Sequence, residues 1–396
     1  MLQRLKDELA RTLRCDLATR LCALRSIPDA PRQTILDFLV PAALLVRSTG
    51  TGLTYWTLLD DQGAHVLSLI RRARDAGLPR SMPDLVRAIH ISDTGVYMGT
   101  TMGALLAHCW DVDTQLRPSS CVRLRAGVQA ICQTAWGIIV GLKDGSIWTT
   151  SVRLANAAML QPWQGGAATN DHGHVTCAAA LPTPRQGQVA VGTQWGGILL
   201  VDPMKGLVQR TRDNSPVGTV AAMAVTPTTG HGAVGRAGPL LHASCGSRIS
   251  TIAITDMTVL CVTRAHDPVV VLFALPDRGL VAGTAACPTG GVRVWREHEL
   301  GGTHHSPWST LGWPLRSQGG TVAPTPVRGE DTTLRGTLLG GGSVHAGAIV
   351  GNTTYVSMDR GLVRVRAGKA ALLHTWDSDG EVDVALAAMT WTGHSP

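Results

Sequence analysis

The chain has 396 residues and a formal charge of +7, with 44% apolar but only 16% charged residues, 45 Gly and 21 Pro. That balance excludes a disordered or coiled-coil chain and suits many short buried strands separated by turns. No apolar run approaches the roughly 18 residues that span a bilayer, so no membrane span is expected. Basic residues scattered through the N-terminal stretch do not fit a secretory leader. The nine cysteines form no C-x-x-C pair and sit mostly in apolar runs such as Val175–Ala179, where Cys acts as a small hydrophobe. An intracellular location, cytoplasm or nucleus, is expected.

Residues 1–28 stand apart from the rest. Leucines at 2, 5, 9, 13, 17, 21 and 24 step by three or four and predict an amphipathic helix, with Arg4, Lys6, Arg11, Arg14 and Arg20 on its other faces. Pro28 and Pro31 stop it. An apolar stripe of this size must be covered, either by the chain itself or by a partner docking on Leu5, Leu9, Leu13 and Leu17. A mitochondrial targeting helix is the third reading, and Asp7, Glu8 and Asp16 count against it because such peptides are poor in acids.

From residue 35 onward a unit recurs in which an apolar run ends in a small residue, turns, and is followed by a second alternating run. Its copies are Leu44–Trp56, Val96–Asp111, Ile138–Trp148, Val189–Asp202, Leu240–Ile252, Leu280–Trp295 with an insertion, and Ile349–Val365. Their starts lie roughly 40 to 70 residues apart, near the period of four-stranded propeller blades with loop insertions. Each pair of runs predicts a hairpin, and Lys143–Ser146 and Asp359–Gly361 supply the Asp and Gly that tight turns favour. Ahead of most hairpins lies a Val followed by small residues, as in Val86–Ile89, Val128–Ile131, Val175–Ala178 and Val220–Met223. Small side chains suit innermost strands that converge on a narrow axis.

Val382–Met389 reads as an inner strand with no hairpin after it, while the hairpin at Leu44 has no clear inner strand. The expected fold is therefore all-β: a single seven-bladed β-propeller over 35–391, its first blade closed by 382–391, with the N-terminal helix as an extension. Closure of this kind removes the exposed sheet edge. Ile35–Val40 is the competing inner strand for the first blade, and that choice leaves an eighth partial repeat.

These residues resemble the WD40-repeat family, in which Gly-His precedes the inner strand and Trp-Asp ends the third. Gly173-His174 stands directly before Val175, Trp110-Asp111 ends the second hairpin, and Asp144–Trp148 is similar to the family's turn into the third strand. The resemblance implies a non-catalytic platform that docks proteins, peptides or RNA.

Chemistry of other kinds finds little support. His304-His305 and His172 with His174 lack the spacing that fixes two metal ligands on one element. Ser343 near His345 lacks a nucleophile elbow, and Gly340–Gly342 lacks the Lys and Ser/Thr of a phosphate loop. The carboxylate pairs Asp60-Asp61, Glu330-Asp331 and Asp377 with Asp379 lie in polar stretches, unsuited to raised-pKa acid catalysis. No enzyme activity, cofactor, metal or small-molecule substrate is expected. Eleven Trp against two Phe and three Tyr is a skew toward the residue most enriched at interface hot spots. Trp56, Trp110, Trp148 and Trp295 take third-strand positions and read as structural, whereas Trp195 in a turn and Trp308 and Trp313 in a long loop are candidate partner contacts. The expected function is a protein-interaction scaffold in a multiprotein complex. The alternative is an RNA- or ribonucleoprotein-associated propeller using the basic patch Arg71, Arg72 and Arg74.

Overall fold

The computed structural model describes residues 42–49, 54–59, 66–69, 85–92, 94–109, 120–162, 173–210, 218–226, 238–264, 267–274, 280–284, 292–295, 343–350, 353–359, 361–366, 369–375 and 383–391. Their regular structure is entirely β-strand. Strands β1 (Ala42–Thr49), β2 (Thr54–Leu59) and β3 (Val66–Leu69) belong to sheet I. Sheet II holds β4 (Val86–Ile91), β5 (Gly95–Thr100), β6 (Ala104–Cys109) and β7 (Ser120–Arg123). Sheet III holds β8 (Val128–Thr134), β9 (Gly137–Leu142), β10 (Ile147–Thr150) and the short β11 (Ala158–Met159). The next strand, β12 (Gln161–Pro162), crosses to sheet IV and lies outside β13 (Val175–Ala180), β14 (Val189–Thr193), β15 (Ile198–Asp202) and β16 (Leu207–Arg210). Sheet V contains β17 (Val220–Thr226), β18 (Leu240–Cys245), β19 (Arg248–Ala253) and β20 (Thr258–Arg264). Sheet VI contains β21 (Val269–Ala274), β22 (Leu280–Thr284) and β23 (Val292–Trp295). Sheet VII contains β24 (Val344–Val350), β25 (Thr353–Met358), β26 (Gly361–Arg366) and β27 (Lys369–Thr375). The last strand, β28 (Asp383–Trp391), pairs antiparallel with β1 and completes sheet I.

Five sheets, I, II, III, V and VII, are plain four-stranded blades, against the seven expected from the sequence. Sheet IV carries the extra parallel strand β12, which pairs with β16. Sheet VI has three described strands, and the chain beyond β23 runs into 296–342, outside the described residues. The expected N-terminal helix and the alternative strand Ile35–Val40 also lie outside them. The innermost strands pack side by side in the order β28, β4, β8, β13, β17, β21 and β24, and β24 packs in turn on β28.

One local rule repeats in every sheet. The inner strand bulges near its start, and the residue after the bulge faces a Gly or Ser of the second strand. The pairs are Ala385 with Ser48, Ala88 with Gly99, Ala130 with Gly141, Cys177 with Gly192, Ala222 with Ser244, Val271 with Gly283, and Ala346 with Ser357. Neighbouring sheets explain the small residue. A Cβ added to Gly99, Gly141, Gly192 or Gly283 would run into Val128, Val175, Val220 or Val344, the first inner-strand valine of the next sheet. At two of the three serine positions the hydroxyl reaches the next valine's carbonyl instead: Ser48 Oγ donates to Val86 O at 2.8 Å and Ser244 Oγ to Val269 O at 3.4 Å. Four junctions thus share one knob-and-slot contact, and two replace it with a hydrogen bond. Ser244 Oγ also accepts from Ala222 N at 3.0 Å, so Ser244→Ala strands a buried donor. That substitution is expected to cost about 1–3 kcal/mol in urea unfolding.

Apolar clusters fill the space between sheets. One joins Tyr97, Leu105, Val128, Ile138, Val140 and Leu142, and another joins Ile139, Ile147, Val175, Val189, Leu199 and Val201. Cys132 and Cys177 belong to this packing; burial pushes both thiols up to about 12, so they stay protonated at neutral pH.

Candidate functional site

The hairpin turns fall on two faces. Turns between second and third strands share one face with the connections that enter the inner strands, and turns between first and second strands lie on the other. On the first of these faces stands Trp195, in the Thr193–Gly197 turn between β14 and β15. It is 63% exposed, in a turn held by hydrogen bonds. Thr193 N donates to Gly197 O at 3.0 Å, Gly196 N to Thr193 O at 3.2 Å, and Gln194 N to His174 O at 2.8 Å. Thr219 Oγ1, in the next connection, donates to Gln194 O at 3.1 Å. The indole rests on Gly173, whose φ of 68° lies in the left-handed region. A Cβ there would meet Trp195 Cδ1 at 2.7 Å, so glycine is needed for both backbone and space. A large aromatic is thereby held bare and pre-ordered, at low entropy cost to whatever covers it.

Gly173-His174 serves this turn through its backbone: His174 N donates to Gln194 Oε1 at 3.3 Å, and the residue is exposed. In sheet III, Trp148 Nε1 donates to Ser146 Oγ at 3.2 Å, and Ser146 Oγ donates to Asp144 Oδ1 at 2.6 Å. Asp144 also pairs with Arg125. Burial acts to raise the Asp144 pKa, but the Ser146 hydrogen bonds and the Arg125 charge outweigh it and hold the carboxyl below its usual range. Met102, 54% exposed, occupies the corresponding turn of sheet II. The apolar tips Met102 and Trp195 thus lie on either side of the Arg125–Asp144 pair in successive sheets.

On the same face Asp359 closes the β25–β26 turn against the start of β24. Its carboxylate accepts from Ser343 N at 2.7 Å and lies 2.5 Å from His345 Nε2. Ser343 enters this brace through its main chain.

The opposite face holds a cavity of about 710 Å³ where the inner strands β4, β8, β13 and β17 pass into their second strands. His90, Ser92, Gln133, Thr134, Thr183 and Gln186 line it, with Leu181, Pro182 and Val225. Desolvation lowers the half-buried His90 to about 4, so it is neutral at pH 7. Beside the cavity stands a second bare tryptophan, Trp136, 59% exposed. Its main-chain N–H donates to Thr134 Oγ1 at 3.1 Å, Thr134 Oγ1 donates to Gly137 O at 3.2 Å, and the indole lies on Gly187, whose φ is 87°. Trp136 was missed in the sequence because Gln133–Gly137 reads as strand running into strand. Trp followed by Gly within a hairpin is the signal that would have found it.

Of the candidate contacts, Trp195 lies among the described residues, while Leu5, Leu9, Leu13, Leu17, Trp308, Trp313, Trp110-Asp111 and Arg71, Arg72 and Arg74 lie outside them. Among the described residues no three His, Cys, Asp or Glu side chains gather as a metal site, and no helix is long and apolar enough to cross a membrane.

No family model and no curated protein matches the chain. Solved structures do. The computationally designed Ika8 protein aligns over 86% of both chains at 14% identity and a TM-score of 0.50. The β-propeller domain of Cps50 (Swd1) from Myceliophteria thermophila aligns over 78% of this chain and 91% of its own at 12% identity and a TM-score of 0.52. At these identities the likeness shows fold alone, and with the radial sheets above it makes the chain a β-propeller.

Proposed function

We propose that this chain is a closed ring of seven sheets, sealed where β28 pairs with β1, that serves as a non-catalytic, intracellular scaffold for protein partners. Packing of the inner strands in cyclic order, and of β24 on β28, supports the ring. The observation that carries the scaffold reading is Trp195: a 63% exposed indole fixed in a hydrogen-bonded turn and backed by Gly173. Covered by another protein, it acts as a pre-ordered hot spot.

Capture of the tagged full chain from its native source, with Trp195→Ala alongside, tests this. A stable protein partner is expected with the wild type, and its affinity for the variant should fall about 30-fold or more, as for a tryptophan hot spot. Equal recovery on both, or no partner on either, removes the reading. Material released by nuclease, with binding that falls steeply as salt rises, would instead establish the RNA-associated reading that rests on the charge of +7.

A further inference from the structure

The cavity beside Trp136 has walls that are tied in place. On one side Tyr97 Oη donates to Val152 O at 3.0 Å, and the Thr94 hydroxyl, whose one proton can serve either neighbour, lies 2.9 Å from Tyr97 Oη and 3.2 Å from Gln133 Oε1. On the other, Arg185 clamps the Leu181–Gln188 connection to sheet V, its Nε donating to Ile254 O at 2.7 Å and its second guanidinium nitrogen to Thr255 O at 3.1 Å. Among the described residues, the side chains facing the cavity are two amides, three hydroxyls, an imidazole and aliphatic groups, with no carboxylate, ammonium or guanidinium. A charged ligand entering it would lose water and meet no counter-charge among these described side chains. A peptide group is neutral and brings one donor and one acceptor per residue, which amides and hydroxyls answer directly. The indole of Trp136 at the lip offers an apolar surface to a neighbouring side chain.

We propose that this cavity is a second docking site, distinct from the Trp195 face, that takes an uncharged, extended segment of a partner polypeptide with an apolar side chain laid on Trp136. It rests on the scaffold reading and adds to it the chemistry of one partner segment.

The test is selection of phage-displayed 12-residue peptides on the full chain, followed by affinity measurement on three variants. Trp136 and Gln186 are exposed, so Trp136→Ala and Gln186→Glu leave the packed walls intact. Selected peptides should carry an uncharged core with an aromatic or large aliphatic residue. Trp136→Ala and Gln186→Glu should each weaken binding at least tenfold, while Trp195→Ala leaves it unchanged. Enrichment of acidic or basic cores, no enrichment, or equal binding to both cavity variants would overturn the proposal. If protein partners co-purify and respond to Trp195→Ala alone, the scaffold reading stands and this site falls.

Discussion

Gly141→Ala is expected to destabilise the protein by about 1–3 kcal/mol, although the change adds one methyl group. The new carbon would overlap the Val175 side chain, well inside van der Waals contact, and Val175 has little room to give because it is itself 1% exposed and packed with Val189, Val191 and Leu199. Gly141 has no need of a positive φ, so the cost is one of space. Val175→Ala alone opens a cavity and should cost about as much. Together the two substitutions should cost less than the sum of their separate effects, because the added methyl fills part of the lost valine. Urea unfolding of the four proteins gives the coupling directly. Additive losses would mean that the slot between sheets III and IV is not the contact described.

Acid is expected to weaken the fold through His242, well before the carboxylates titrate. This imidazole is 1% exposed in sheet V and bridges two threonines, with Nε2 3.2 Å from Thr226 Oγ1 and Nδ1 3.0 Å from Thr251 Oγ1. Since Thr226 Oγ1 donates to Leu240 O, its oxygen accepts from Nε2–H and Nδ1 accepts from the Thr251 hydroxyl. Desolvation lowers the His242 pKa from 6.5 to about 4. Between those values the unfolded chain binds a proton that the folded chain does not, so stability is intact above pH 6.5 and is lost as pH falls toward 4. The loss from this one residue amounts to about 3 kcal/mol. His90 pulls the same way. Unfolding free energies measured at pH 7.5 and 5 should differ for the wild type and differ distinctly less for His242→Asn. An unchanged pH dependence in that variant would locate the acid sensitivity elsewhere.

Hairpins were legible in the sequence where turn chemistry is local. Asp144-Gly145 sits between two apolar runs, and Gly145 adopts φ 83°, as such a turn requires. The inner strands were legible as Val followed by small residues, in Val86-Arg87-Ala88 and Val128-Gln129-Ala130. The slot contacts were not, because Gly141 and Val175 meet across sheets and nothing in either local pattern names the other. Sheet IV departs from the regular four strands for a related reason: β12 is two residues long, too short for alternation to show. The turn around Trp195 was legible from Gly196-Gly197, but its backing by Gly173 and the cavity formed by inner-strand ends arise only once sheets stand beside one another.

Native mass spectrometry of the chain isolated from its own source tests the scaffold claim most directly. The account predicts a species heavier than the 41.7 kDa monomer by the mass of at least one other polypeptide, reverting to the monomer with Trp195→Ala. A monomer alone in the wild-type preparation would contradict it.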